Sequence, residues 1–183
     1  MTDRYEKYTS FEFDRPSDRV LRITLNNPKT YNSLDATGHN HFTYIWRDID
    51  DDPEISAVIL TGKGKAFSSG GDFGMIDANM NDEMARMQAW KEARDLVYNI
   101  INCNKPIVSA INGVAVGAGL VAALLADISI AGKAAKIVDG HTRLGVAAGD
   151  CAVINWPLLC GMAKAKYLLM LCELVNGEDA EKY

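Results

Sequence analysis

Two short glycine-bearing loops constrain this chain more than any other feature, because each directly follows a strand-like run. The first is Lys65-Ala66-Phe67-Ser68-Ser69-Gly70-Gly71-Asp72-Phe73, after the continuous apolar run Ala57-Val58-Ile59-Leu60-Thr61-Gly62. Paired glycines after a strand permit a tight turn and let a ligand approach the backbone closely. Free N–H groups in such a turn can hold developing negative charge. The second is Ile111-Asn112-Gly113-Val114-Ala115-Val116-Gly117-Ala118-Gly119, which follows the strand expected over Ile107 to Ile111. The apolar stretch Leu120 to Ala126 reads as a buried helix opening at these glycines. Its first N–H groups have no helical acceptor and carry the positive end of the helix dipole. The second loop is not G-x-G-x-x-G, so a dinucleotide fingerprint does not fit.

Around these loops the pattern alternates between strand and helix. Val20 to Leu25 alternates apolar and polar residues as a half-buried strand does. Asn26-Asn27-Pro28-Lys29 is a turn, and a helix is expected from Ser33 as N-cap to Asp50. A second helix is expected from Asp82 to about Asn102, with Met84 and Met87 as core filler. Strands are expected at Ile128 to Ala131 and Lys136 to Val138. Such alternation predicts a layered α/β fold. Asn176 caps a last short helix with Asp179 in its first turn. That helix has no C-cap before Tyr183, so the chain reads as cut before a further segment.

Composition narrows the partners. The 183 residues suit one domain with a sizeable core. The net charge of −5 and the lack of a basic face argue against nucleic acid. Gly113 to Ala126 is too short and too glycine-rich to span a membrane, and Met1 to Asp14 lacks the apolar core of a signal peptide. A cytoplasmic location is expected. Cys103, Cys151, Cys160 and Cys172 form no C-x-x-C pair and lie at no metal-ligand spacing from a histidine. They read as reduced, mostly buried thiols, and no metal site is expected. His39 and His41, two apart on the first helix, face different ways and read as polar surface or core residues.

Taken together, the loops resemble the crotonase, or enoyl-CoA hydratase/isomerase, superfamily. There a Phe-x-x-Gly-x-Asp loop precedes a Lys-Pro-x-x-x-x-x-Asn-Gly-x-x-x-Gly-x-Gly segment; here these run from Phe67 to Asp72 and from Lys105 to Gly119. Asn27-Pro28-Lys29…Asn32-Ser33-Leu34, Ala126-Asp127, Leu144-Gly145 and Asp179-Ala180 extend the match. The resemblance implies one domain over residues 1–183, built as a spiral of β-β-α units. It implies that a C-terminal helical segment, which covers the site and builds trimers or hexamers, is missing. It also implies an acyl-CoA thioester substrate, with coenzyme A entering as part of that substrate and no separate cofactor. The expected intermediate is an enolate held by the N–H groups of Gly71 and Ala118. Substrate contacts are implied at Lys29, Gly70, Asp72, Phe73, Gly117 and Gly119.

The chain departs from the family pattern at its acid–base residues. Family hydratases use two glutamates; the first position holds Val121 and the second His141. Nine residues after His141, past a stretch of small residues, comes Asp150. A carboxylate on one ring nitrogen fixes the histidine tautomer and raises its basicity. This spacing, with Trp156-Pro157 beyond, resembles that of 6-oxocamphor hydrolase, a crotonase relative that cleaves a carbon–carbon bond, and of His/Asp enoyl-CoA hydratase-like sequences. His141 and Asp150 are the expected catalytic pair. Asp139, on the same strand face as His141 if the strand continues, is the rival to Asp150. Three functions stay open: an enoyl-CoA hydratase or isomerase, a hydrolase of a cyclic ketone or β-diketone, and a silent crotonase-fold binding protein.

Overall fold

From Ala57 onward the chain repeats one unit of strand, strand and helix, and each turn of the unit sends one strand into each of two sheets. The computed structural model describes residues 4–183. Its elements begin with β1 (Phe11–Ser17), β2 (Val20–Leu25) and α1 (Ala36–Asp50). Then come β3 (Ala57–Gly62), β4 (Ala66–Ser68), α2 (Phe73–Asn81) and α3 (Glu83–Ile101). The next turn is β5 (Ile107–Ile111), β6 (Val114–Ala115) and α4 (Gly117–Leu125). The last begins with β7 (Ile128–Ala131) and β8 (Lys136–Ile137), followed by α5 (Ala152–Cys160) and α6 (Met162–Leu171). The described chain closes with β9 (Val175–Asn176) and α7 (Gly177–Lys182).

The five-stranded sheet has the order β1-β2-β3-β5-β7 and the four-stranded sheet β4-β6-β8-β9. Only β1 and β9 run antiparallel to their neighbours. This is the expected α/β spiral. Its core lies between α1 and the larger sheet. Phe42, Ile45, Trp46 and Ile49 recur on one helical face and are fully buried, against Leu21 and Ile23 of β2 and Val58 and Leu60 of β3. The strand run of Val20 to Leu25 alternates as expected: Leu21, Ile23 and Leu25 point into the core.

The successive turns stack backbone on backbone. At Gly113, between β5 and β6, an added Cβ would sit 2.1 Å from the Lys65 carbonyl oxygen. Both partners are main chain, so neither can rotate away. Gly113→Ala is therefore expected to cost about 2 kcal/mol or more through forced backbone movement. Gly132→Ala, whose Cβ would meet nothing closer than 3.7 Å, should leave the melting temperature nearly unchanged. Equal melting temperatures for the two variants would remove this account of the corner.

Several expected details are corrected. The first helix starts at Ala36, not after Ser33. Asp35 caps it, accepting from the Gly38 N–H at 2.7 Å, while Ser33 Oγ pairs with Thr30 Oγ1 at 2.7 Å. A carboxylate is the stronger acceptor at the positive end of a helix. Met84 and Met87 are exposed rather than core filler, because the first half of α3 runs beyond the core and only Glu92, Leu96 and Ile100 of the helix are buried. β8 ends at Ile137, so Asp139 lies in the following loop rather than on a strand. β1, β4, β6, β9, α2 and α6 were not anticipated. β4 and β6 have three and two residues, too few to show a period.

Candidate active site

Three neighbouring parallel strands deliver the candidate residues to one place. Ser68 of β4 pairs in register with Ala115 of β6, and Ala115 with Ile137 of β8. The ladder continues from the Val116 N–H to the Ser68 carbonyl at 2.9 Å and from the Val138 N–H to the Ala115 carbonyl at 3.2 Å. Beyond these pairs the three chains diverge as Gly70-Gly71, Gly117-Ala118 and Asp139 to His141. In parallel sheets the carboxyl ends of strands are where loops converge on ligands.

The first two loops are locked together by small residues. Ser68, fully buried, donates its hydroxyl to the Asn32 carbonyl at 2.9 Å and accepts from the Gly70 N–H at 3.2 Å. A Cβ on Gly119 would lie 2.4 Å from the Ser68 Cβ, so only glycine lets the first turn of α4 rest there. Gly117 has φ +55 and its added Cβ would stand 3.1 Å from the Gly70 Cα and 3.9 Å from the Gly71 nitrogen. Leu34 brackets Gly71: its N–H reaches the Gly70 carbonyl at 2.8 Å and its carbonyl accepts the Asp72 N–H at 2.9 Å. The Gly71 N–H itself has no protein acceptor among the described residues. Ala118 is the second residue of α4, and the N-cap, Val116, offers no side-chain acceptor. Two backbone donors are thus left free on touching loops, one of them at the positive end of a helix.

The third loop carries an Asp–His–Asp cluster. Nδ1 of His141 lies 2.8 Å from Asp139 Oδ2, and the His141 backbone N–H donates to Asp139 Oδ1 at 3.2 Å. Nε2 lies 3.4 Å from Asp150 Oδ2. Asp139 is buried, and Oδ1 of Asp150 is buried without a hydrogen-bond partner. The hydrogen bond that His141 donates to Asp139, opposed by burial and aided by the Asp150 charge, raises the His141 pKa above its ordinary value. Burial raises that of Asp150, partly offset by the imidazole. Both shifts favour the protonated form of their group. These three side chains are also the one group with metal-ligand spacing among the described residues. Both ring nitrogens already face carboxylates, an arrangement that matches proton transfer better than metal ligation.

Sequence reasoning preferred Asp150 over Asp139; the geometry gives His141 both, with Asp139 the shorter contact. The two differ in what they do to the ring. Asp139→Asn removes the charge that holds the imidazolium, so the His141 midpoint should fall toward the ordinary histidine value. With three histidines in the chain, the ring resonances can be assigned by single substitution and followed by NMR against pH. An unchanged midpoint would show that Asp139 is a bystander.

The remaining candidates are dispersed. Lys29 sits exposed in the 3-10 turn Pro28–Thr30. Asp72 caps α2 through the Met75 N–H at 2.7 Å, and Phe73, the first residue of that helix, is 83% exposed. Gly70 and Gly119 are buried and shape the loops. His39 is buried against Glu92 at 2.7 Å, between α1 and α3 and away from these loops. Val121 faces a small cavity of about 10 Å³, lined also by Gly117, Leu120, Leu124, Asp139, Ala152, Asn155 and Trp156. Asn155 and Trp156 were missed as lining residues. The one available signal was a single amide inside the apolar run of α5.

Comparison with known proteins decides the family. The family model described as Enoyl-CoA hydratase/isomerase matches residues 15–183. The chain belongs to the enoyl-CoA hydratase/isomerase family. Within it, a probable enoyl-CoA hydratase of Rhodobacter capsulatus is 32% identical over 168 residues, 91% of this chain and 63% of that protein. The 1,2-epoxyphenylacetyl-CoA isomerase of Escherichia coli is also 32% identical over 168 residues, 90% of this chain and 63% of the relative. The crystal structure of an enoyl-CoA hydratase/isomerase from Mycobacterium paratuberculosis superposes with a TM-score of 0.91 at 32% identity, covering 95% of this chain and 70% of that one. The chain thus spans somewhat under two thirds of the length of these two sequence relatives. Among the described residues, no helix is long and apolar enough to cross a membrane.

Proposed function

We propose that this enoyl-CoA hydratase/isomerase family member binds an acyl-CoA thioester and runs its chemistry through an enolate. The observation that carries the reading is the pair of unengaged N–H groups, Gly71 and Ala118, on loops that end adjacent parallel strands beside a histidine held between two carboxylates. The thioester oxygen accepts from both N–H groups. For hydration, His141 takes a proton from water as the water oxygen bonds to the β-carbon. The charge passes to the thioester oxygen, and a proton held by His141 or Asp150 then goes to the α-carbon. Donors aimed at the developing oxyanion stabilise that state more than the ground state. With valine at position 121, His141, Asp139 and Asp150 are the groups that move or hold protons here.

The same dyad suits water activation against a cyclic β-diketone, and the imidazole between two carboxylates favours that second reading equally. Crotonyl-CoA and a cyclic β-diketone, each followed by loss of its conjugated absorbance, separate the two. Turnover of crotonyl-CoA supports the proposal. Turnover of the diketone alone replaces it with hydrolysis, and no turnover with no thioester binding by calorimetry leaves a silent binding protein. A place in fatty acid metabolism, a cytoplasmic location and a homotrimer or hexamer belong to the same proposal. Exposed apolar side chains on α5 and α6, such as Leu158 and Met170, support the assembly, which sedimentation velocity tests.

A further inference from the structure

The cavity between α4 and α5 has one polar feature that the chemistry above does not use. Asn155 is 8% exposed and lines the cavity. Its Oδ1 accepts from the Cys151 thiol at 3.3 Å, while its Nδ2 is buried with no partner. A buried amide donor left unpaired is destabilising, so it signals an absent acceptor. The α4 wall supplies none, because Leu120, Val121 and Leu124 are apolar. At about 10 Å³ the space admits one oxygen-sized group. Gly117, the neighbour of the proposed oxyanion donor Ala118, and Trp156 also line it. Asp139 also lines it and would repel a second carboxylate.

We propose that this cavity is an acyl subsite in which Asn155 Nδ2 donates to a neutral oxygen on a short acyl group. The substrate class is then a short-chain CoA thioester bearing a hydroxyl, keto or ether oxygen near the end of its acyl chain. This rests on the acyl-thioester reading above and adds a selectivity to it. A longer apolar chain meets Trp156, and an anionic one meets Asp139. Asn155 acts here as a specificity residue, since it touches the acyl tail and not the reacting atoms.

An isosteric pair tests it: 4-hydroxycrotonyl-CoA against trans-2-pentenoyl-CoA, with crotonyl-CoA as reference. The parent protein is expected to favour the hydroxylated thioester by about tenfold in kcat/KM, the worth of one buried hydrogen bond. Asn155→Leu should abolish or invert that preference while leaving crotonyl-CoA turnover within about threefold. Asn155→Met, which fills a similar volume and offers no donor, should do the same, so the test does not hang on one variant folding. If crotonyl-CoA is neither bound nor turned over, the acyl-thioester reading falls and the subsite with it. If crotonyl-CoA is processed but the isosteric pair is treated alike, or the preference survives both substitutions, the subsite alone falls. The same holds if a crystal structure shows Asn155 bound to a water that stays when 4-hydroxycrotonyl-CoA is present.

Discussion

His141→Gln is expected to lower turnover by about 100- to 10,000-fold, the usual contribution of a general acid–base group, with a modest change in binding. Glutamine fills much of the imidazole volume and still hydrogen-bonds, so Asp139 at 2.8 Å and Asp150 at 3.4 Å keep a polar neighbour. What is lost is the imidazole, the one group of the cluster that can accept a proton at one ring nitrogen while the other is held by a carboxylate. The pH profile gives the sharper signature. The hydrogen bond to Asp139 and the Asp150 charge stabilise the imidazolium, so the base form takes over at a higher pH than for an ordinary histidine, and activity falls as pH drops through that raised midpoint. His141→Gln should erase this limb. Stability adds an independent check. A histidine with a raised folded pKa contributes stability that is fully present below its unfolded value and is lost as pH rises through the folded one. The variant should therefore lose more stability at acidic pH than at alkaline pH. Asp150→Asn should reduce turnover less than His141→Gln if Asp150 only orients the ring, and equally if it relays the proton. Turnover of both variants within about twofold of the parent would make the cluster structural.

The sequence made the two glycine loops legible because their chemistry is local. A strand, a turn that needs glycine and a helix start can all be read within a dozen residues. The reason for each glycine was not local. Gly119 is required by Ser68, about fifty positions away, and Gly113 by the Lys65 carbonyl on the preceding turn of the spiral. The fold class was legible from the alternation of long strands and helices, while β4 and β6 were too short to register although the candidate loops follow them. Asp139 was ranked below Asp150 on the premise that a strand continued through it. The strand ends at Ile137, and the free loop lets residue 139 turn back onto the ring two positions later. Asn155 was invisible because a lone amide in an apolar helix has no meaning until the cavity it faces is known. In each case the missing information was a contact between turns of the spiral.

Replacing Ala118 by proline is expected to cut turnover by about 100- to 1,000-fold, corresponding to roughly 3 kcal/mol of lost oxyanion stabilisation. Ala118 is suited to this test because it sits in the first turn of α4. No helical hydrogen bond uses its N–H, and proline is accepted at such positions. The substitution therefore deletes one donor and little else. Gly71→Pro tests the partner donor under a different constraint. The flanking bonds to Leu34 run through the Gly70 carbonyl and the Asp72 N–H, so they survive the loss of the Gly71 N–H. Ring atoms at Gly71 do meet the Met75 side-chain end, where even a Cβ would lie 2.5 Å from Cε, but that end is flexible. Gly71→Ala supplies the matching control, because it disturbs Met75 in the same way and keeps the N–H. Its turnover should stay within a few fold of the parent, and Ala118→Gly should behave likewise. Both proline variants should bind the thioester with little change in affinity, since the donors act mainly on the enolate. Prolines that melt like the parent and retain full turnover would show that the thioester oxygen is held elsewhere, and would detach the two glycine loops from the chemistry.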